Sequence, residues 1–127
     1  MARVDAWCAR APKELALGMA RILVVDDDEL IARSLTRALK SAGHEVVVVC
    51  CARDADEVSE KFTLGVFDYR LPDGWGTDVA RGLLDRSVVA AAVFFTSHEL
   101  RTELGPVVQK PNWDALLETV ESILTTE

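Results

Sequence analysis

Four short apolar runs constrain this chain more than anything else in it: Ile22–Val25, Val46–Val49, Leu64–Phe67 and the longer Val88–Phe95. None alternates apolar with polar residues. A strand with one wet face alternates, so these runs, the last of which contains the fourth strand, read as strands buried on both faces, and that environment belongs to a parallel sheet covered by helices on each side. The segments between them supply the helices. Leu30–Ser41 places Ile31, Leu35, Ala38 and Leu39 at helical spacing and meets Gly43 as a stop. Asp54–Lys61 is a weaker helix. Thr77–Arg86 is a third, with Thr77 as its expected N-cap and Val79 and Leu83 facing inward. Val107–Gln109 is a short fifth strand. Asn112 then caps a last helix whose inward stripe is Trp113, Leu116, Leu117, Val120, Ile123 and Leu124. The residues from His98 to Pro106 must connect strands four and five. A mean helix alone takes about 11 residues, so the helix expected there is short or absent.

The 127 residues suffice for one core and one domain. Lysine and arginine total 14 against 21 aspartate and glutamate, a net charge of −7. So acidic a surface argues against direct binding of nucleic acid or of an anionic membrane. The longest apolar runs fall well short of the ~20 residues that cross a bilayer. Cys8, Cys50 and Cys51 are odd in number and contain no CxxC pair. They are expected as free thiols in a reducing cytoplasm, with Cys50 and Cys51 on a strand and pointing to opposite faces. Residues 1–18 stand apart from the rest. Pro12 interrupts them, and Asp5 and Glu14 do not suit a signal peptide. They read as an addition ahead of a start at Met19 or as a disordered tail, with a docked helix as the alternative.

Each buried run ends on a group that can do chemistry. Asp26, Asp27 and Asp28 follow the first strand. Asp68 ends the third and runs into a turn cluster, Pro72, Asp73, Gly74 and Gly76. Thr96 and Ser97 follow the fourth; Lys110 and Pro111 follow the fifth. In a right-handed doubly wound sheet these tips share one edge, the edge where ligands bind. Taken singly, each group has an ordinary reading: helix capping for the acidic run, a loop aspartate, a strand-end hydroxyl, a surface lysine. His44 and His98 read as surface residues, Trp113 as core, and Trp75 as partly exposed beside the site. Taken together, clustered carboxylates raise one another's pKa unless a cation sits among them, and one lysine is too little. Mg²⁺ suits a few carboxylates, waters and a phosphoryl oxygen. An aspartate beside it can act as a nucleophile toward phosphorus, with the metal and Lys110 neutralising the phosphoryl oxygens.

These residues resemble the receiver domain of bacterial two-component response regulators. The resemblance rests on Ile22–Glu29, on Asp68-Tyr69-Arg70-Leu71-Pro72-Asp73-Gly74, on Phe94-Phe95-Thr96-Ser97 and on Val108-Gln109-Lys110-Pro111, and covers residues 20 to about 125, so that residues 19–127 form the receiver. It implies a flavodoxin-like fold of strand order 2-1-3-4-5 and a signalling protein rather than an enzyme. Asp68 would be phosphorylated by a histidine kinase or a histidine phosphotransfer protein. Asp27, Asp26, Asp68 and the Arg70 carbonyl would hold Mg²⁺; Asp28 would either share that role or cap the helix. Thr96 and Lys110 would bind phosphoryl oxygens, and the Lys110–Pro111 bond would be cis. Arg70 and His98 would flank the hydrolytic water and tune the lifetime of the phosphate. Two departures concern output. The switch position, normally aromatic, is Val107, and the fourth helix is abbreviated, somewhat as in a stand-alone subfamily. Residues 98–106 are therefore expected as the element that phosphorylation orders, read by partners together with the last helix. The alternatives are a receiver-fold interaction module that no longer switches, and a Mg²⁺-dependent aspartyl-phosphate phosphatase, against which Arg70 stands where that class carries a second aspartate.

Overall fold

The computed structural model describes residues 20–125; the expectation for residues 1–18 lies outside them. The elements are β1 (Arg21–Val25), α1 (Glu29–Ser41), β2 (Glu45–Val49), α2 (Ala52–Asp56), β3 (Leu64–Phe67), β4 (Arg70–Leu71), β5 (Gly74–Trp75), α3 (Gly76–Asp85), β6 (Ala92–Thr96), β7 (Val107–Gln109) and α4 (Trp113–Thr125). Five strands form one parallel sheet in the order β2-β1-β3-β6-β7, which is the expected 2-1-3-4-5 counted over the strands of that sheet.

Successive side chains of a strand point to opposite faces, and here each face has its own core. Leu23, Val25, Phe67 and Phe94 pack with Ala52 and Ala55 of α2 and with Val79, Ala80 and Leu83 of α3. Ile22, Val24, Val66, Val93 and Phe95 pack with Leu35 and Leu39 of α1 and with Leu116 and Val120 of α4. The absence of alternation in the strands is the direct consequence of these two covered faces. Among the described residues, no helix is long and apolar enough to cross a membrane.

The helix ends follow the sequence in part. Asp28 caps α1 by accepting the N–H groups of Leu30 (3.0 Å) and Ile31 (3.2 Å). Gly43, at φ 99°, takes the left-handed conformation that ends it. Asn112 accepts the Ala115 N–H at 3.1 Å. Two expectations need correction. α2 spans Ala52–Asp56 rather than 54–61, because its cap comes from a distant residue. Asp73 accepts the N–H groups of Ala52 (2.7 Å) and Arg53 (3.0 Å), while the Arg86 guanidinium donates to the carbonyls of Asp56, the last residue of the helix, and of Val58 just beyond it. Nor does Thr77 cap α3. The helix begins at Gly76, with Trp75 in the capping position and no side-chain cap.

Two further placements differ. β2 ends at Val49, so Cys50 and Cys51 lie beyond the strand rather than on it; Cys51 immediately precedes α2. His44 is buried, 4% exposed, not a surface residue. Its Nδ1 accepts the Ala20 N–H (3.1 Å), which leaves Nε2 to meet Glu121 Oε2 at 2.9 Å. The ring thus ties the start of β1 to α4.

No helix lies between β6 and β7. The connection is irregular but packed. Leu100 and Leu104 rest on the core, the Thr102 hydroxyl accepts the Leu104 N–H at 3.1 Å, and the Pro106 carbonyl accepts the Phe94 N–H at 2.9 Å. A Cβ on Gly105 would collide with the Ala92 carbonyl oxygen. From Leu100 onward this segment already has fixed tertiary partners.

Candidate functional site

Parallel register brings the strand tips together. Val25 pairs with Phe67, Phe67 with Phe94, and Thr96 with Gln109. The residues that follow are pinned by continuing the ladder: the Asp68 N–H donates to the Val25 carbonyl (2.9 Å) and the Lys110 N–H to the Thr96 carbonyl (2.9 Å). The Lys110–Pro111 bond is cis.

Carboxylate oxygens of Asp26, Asp27 and Asp68 all lie within 4.8 Å of one another. Asp26 is buried, Asp68 half-buried and Asp27 exposed. Lys110 Nζ sits between two of them, 3.0 Å from Asp26 Oδ2 and 3.2 Å from Asp68 Oδ2. The remaining oxygens have backbone donors: the Asp28 N–H reaches Asp26 Oδ1 at 2.9 Å, and the Tyr69 N–H reaches Asp68 Oδ1 at 2.7 Å. Burial pushes the Asp26 carboxyl above the ordinary carboxylate range, and the Asp28 N–H and Lys110 only partly offset it. Burial alone would lower the Lys110 pKa, but the bonds and charges of Asp26 and Asp68 outweigh it and hold the ammonium above the usual lysine range. One ammonium faces three carboxylates. That deficit of positive charge, together with an all-oxygen donor set, fits a hard divalent cation such as Mg²⁺.

The other predicted residues divide. Asp28 is engaged as the α1 cap. Thr96 is fully buried at the tip of β6, and its hydroxyl oxygen accepts the His98 N–H at 3.2 Å. Arg70 opens β4 with its side chain exposed, the guanidinium 5.6 Å from the centre of the Trp75 ring. Trp75 is 45% exposed. His98 is exposed, its ring edge-on to Tyr69 at 6.3 Å. Val107 pairs with Phe94 and packs against the core, with no ring to offer the site.

Three contributors carry no distinctive signal in the sequence. Asp73 reads there only as a turn residue, yet its carboxylate binds the loop after Asp68 to α2. Gly76 is required because a Cβ there would run into the Asp68 carbonyl oxygen; the Gly-Trp-Gly stretch was its one local signal. Tyr69 holds Asp68 through its N–H and also forms a ring junction, 5.1 Å from Trp75 as well as against His98. These contacts join the loop after β3 to the start of the β6–β7 connection, and no local pattern in the sequence shows them.

The family model for the response regulator receiver domain matches residues 22–120. No curated protein matches the sequence. Among solved structures, the non-phosphorylated HemR receiver domain from Leptospira biflexa is 27% identical, with a TM-score of 0.76 over 84% of this chain and 95% of that one. The response regulator TrrA from Thermotoga maritima, solved in complex with Mg²⁺ and BeF, is 26% identical, with a TM-score of 0.72 over 81% and 97%. A CheY-like receiver domain protein from Methanospirillum hungatei is 28% identical, with a TM-score of 0.69 over 84% and 94%.

Proposed function

The chain belongs to the family of response regulator receiver domains, and on that premise we propose that it is a phosphoacceptor switch in a two-component or phosphorelay system. Asp68 receives the phosphoryl group from a histidine kinase or a histidine phosphotransfer protein, and the phosphorylated form signals by binding a protein partner. The observation that carries this reading is Lys110 Nζ, held between buried Asp26 and half-buried Asp68. It places a fixed cation on the carboxylate that would attack phosphorus.

An Asp68 carboxylate oxygen forms the new P–O bond as the donor's bond to phosphorus breaks, giving an acyl phosphate. Lys110 binds a phosphoryl oxygen, and the Thr96 hydroxyl binds another. Mg²⁺ would be held by Asp26, Asp27, Asp68 and the Arg70 carbonyl, and supplies the positive charge that one ammonium lacks. Such a cation has a solved counterpart in the Mg²⁺–BeF complex of TrrA. Asp68 is consumed by the transfer and regenerated by hydrolysis, so the chain works as a switch rather than as an enzyme acting on substrates. Val107 favours a second reading, a module of the same fold that binds partners without switching.

Incubation with Mg²⁺ and acetyl phosphate or phosphoramidate, followed by intact-mass measurement, tests this. One phosphoryl adduct, absent in Asp68→Asn, is the expected result. No adduct selects the non-switching module. Rapid release of phosphate from phosphomonoesters would select a phosphatase.

A further inference from the structure

We infer that the state of Asp68 is relayed to the surface through the contact between the rings of His98 and Tyr69. This inference rests on the phosphoacceptor reading above and goes beyond it by naming the moving parts. The first of them is the Thr96 hydroxyl. It is fully buried, and its oxygen accepts the His98 N–H at 3.2 Å. A Thr96 hydroxyl drawn toward a phosphoryl group on Asp68 would give up this bond to the His98 N–H. Among the described residues, the His98 backbone is then held only by its carbonyl, which accepts from Gln109 Nε2 at 3.3 Å, a long and exposed bond.

The rest of the connection cannot follow. Leu100 and Leu104 are packed on the core, and Gly105 abuts the β6 backbone. Motion is therefore confined to Ser97, His98 and Glu99, ahead of the anchored part. This differs from the expectation that the whole of 98–106 becomes ordered: most of it is already in place.

His98 has a receiver for that motion. Its ring meets Tyr69 edge-on at 6.3 Å, and the Tyr69 ring lies 5.1 Å from that of Trp75. Trp75 is 45% exposed with the Arg70 guanidinium over it. Tyr69 is also the residue whose N–H holds Asp68 Oδ1. The junction thus touches the site at both ends, through Thr96 and through Asp68, and ends on an exposed face of Trp75, Arg70 and His98. Val107 has no comparable reach. It is β-branched, with little choice of χ1, and it is half-buried against the core.

The test uses the full chain with Mg²⁺ and beryllofluoride as the phosphoryl mimic. Fluorine NMR reports whether the adduct on Asp68 forms, and the Trp75 indole N–H peak, assigned by its loss in Trp75→Phe, reports the relay. The adduct is expected to displace that peak from its position with Mg²⁺ alone. His98→Ala should form the adduct yet lose at least half of the displacement, and His98→Phe should keep it. An adduct with no displacement, or an equal displacement in His98→Ala, overturns the relay and leaves the phosphoacceptor reading standing. No adduct in the wild-type chain overturns both.

Discussion

Lys110 is bound to Asp26 as closely as to the proposed acceptor: its Nζ stands 3.0 Å from Asp26 Oδ2. The buried aspartate and the lysine are therefore electrostatically interdependent, and each shifts the other's ionisation. Replacing Lys110 by methionine leaves the carboxylates of Asp26 and Asp68 with no ammonium between them. The expected cost to the metal-free fold is about 1–3 kcal/mol, below the range for a fully buried pair because both Lys110 and Asp68 keep some contact with solvent. Mg²⁺ should restore more stability to Lys110→Met than to wild type. Denaturant unfolding with EDTA and with Mg²⁺ measures both, and equal stability of the two proteins in EDTA would refute the interdependence.

Gly76 and Gly82 both lie in α3, and alanine should act on them with opposite sign. Nothing lies within 4 Å of a Cβ built on Gly82, so Gly82→Ala should gain about 0.5–1 kcal/mol from helix propensity. A Cβ on Gly76 meets the Asp68 carbonyl oxygen. Gly76→Ala should cost about 1–3 kcal/mol and slow phosphorylation by displacing the proposed acceptor, Asp68. Thermal unfolding distinguishes the two, and a gain at both positions would mean that the loop after Asp68 has room to yield.

The Asp73 cap predicts a pH dependence. The N–H groups of Ala52 and Arg53 hold this carboxyl below its ordinary value of 3.8. The folded value is thus below the unfolded one. The stability it contributes is present above about pH 3.8 and lost as the pH falls through the folded value. The stability difference between wild type and Asp73→Asn should shrink in that acid window. A difference that stays constant, or grows toward acid, would show that the charge on Asp73 does not stabilise α2.

Phosphate lifetime should respond to Arg70, which lies two residues past the proposed acceptor Asp68 with its guanidinium over Trp75. Arg70→Ala is expected to change the dephosphorylation rate severalfold, equivalent to about 1 kcal/mol in the barrier. Decay followed by phosphate release after removal of the donor measures it. Identical rates would exclude the side chain from the path of the hydrolytic water.

The sequence by itself determined the parallel sheet and the shared edge. Burial on both faces is written into Ile22–Val25 and Val46–Val49 as an absence of alternation, and a strand tip is written into the abrupt change from Phe67 to Asp68. Both are local signals. So is the missing helix, since residues 98–106 are too few to hold one beside two connections. What the tertiary structure alone decided depends on partners distant in the chain. The start of α2 is set by Asp73, 21 residues away, so propensity within the helix misplaced it. His44 is buried because Ala20 and Glu121 satisfy both of its ring nitrogens, and neither partner is a sequence neighbour. Gly76 is needed for a backbone approach that exists only once β3 and α3 are packed. The ring junction of His98, Tyr69 and Trp75 joins two loops across the sheet edge. Hydrophobic periodicity is a property of neighbouring residues, whereas the satisfaction of a buried polar group or the clearance of a Cβ is a property of the folded chain.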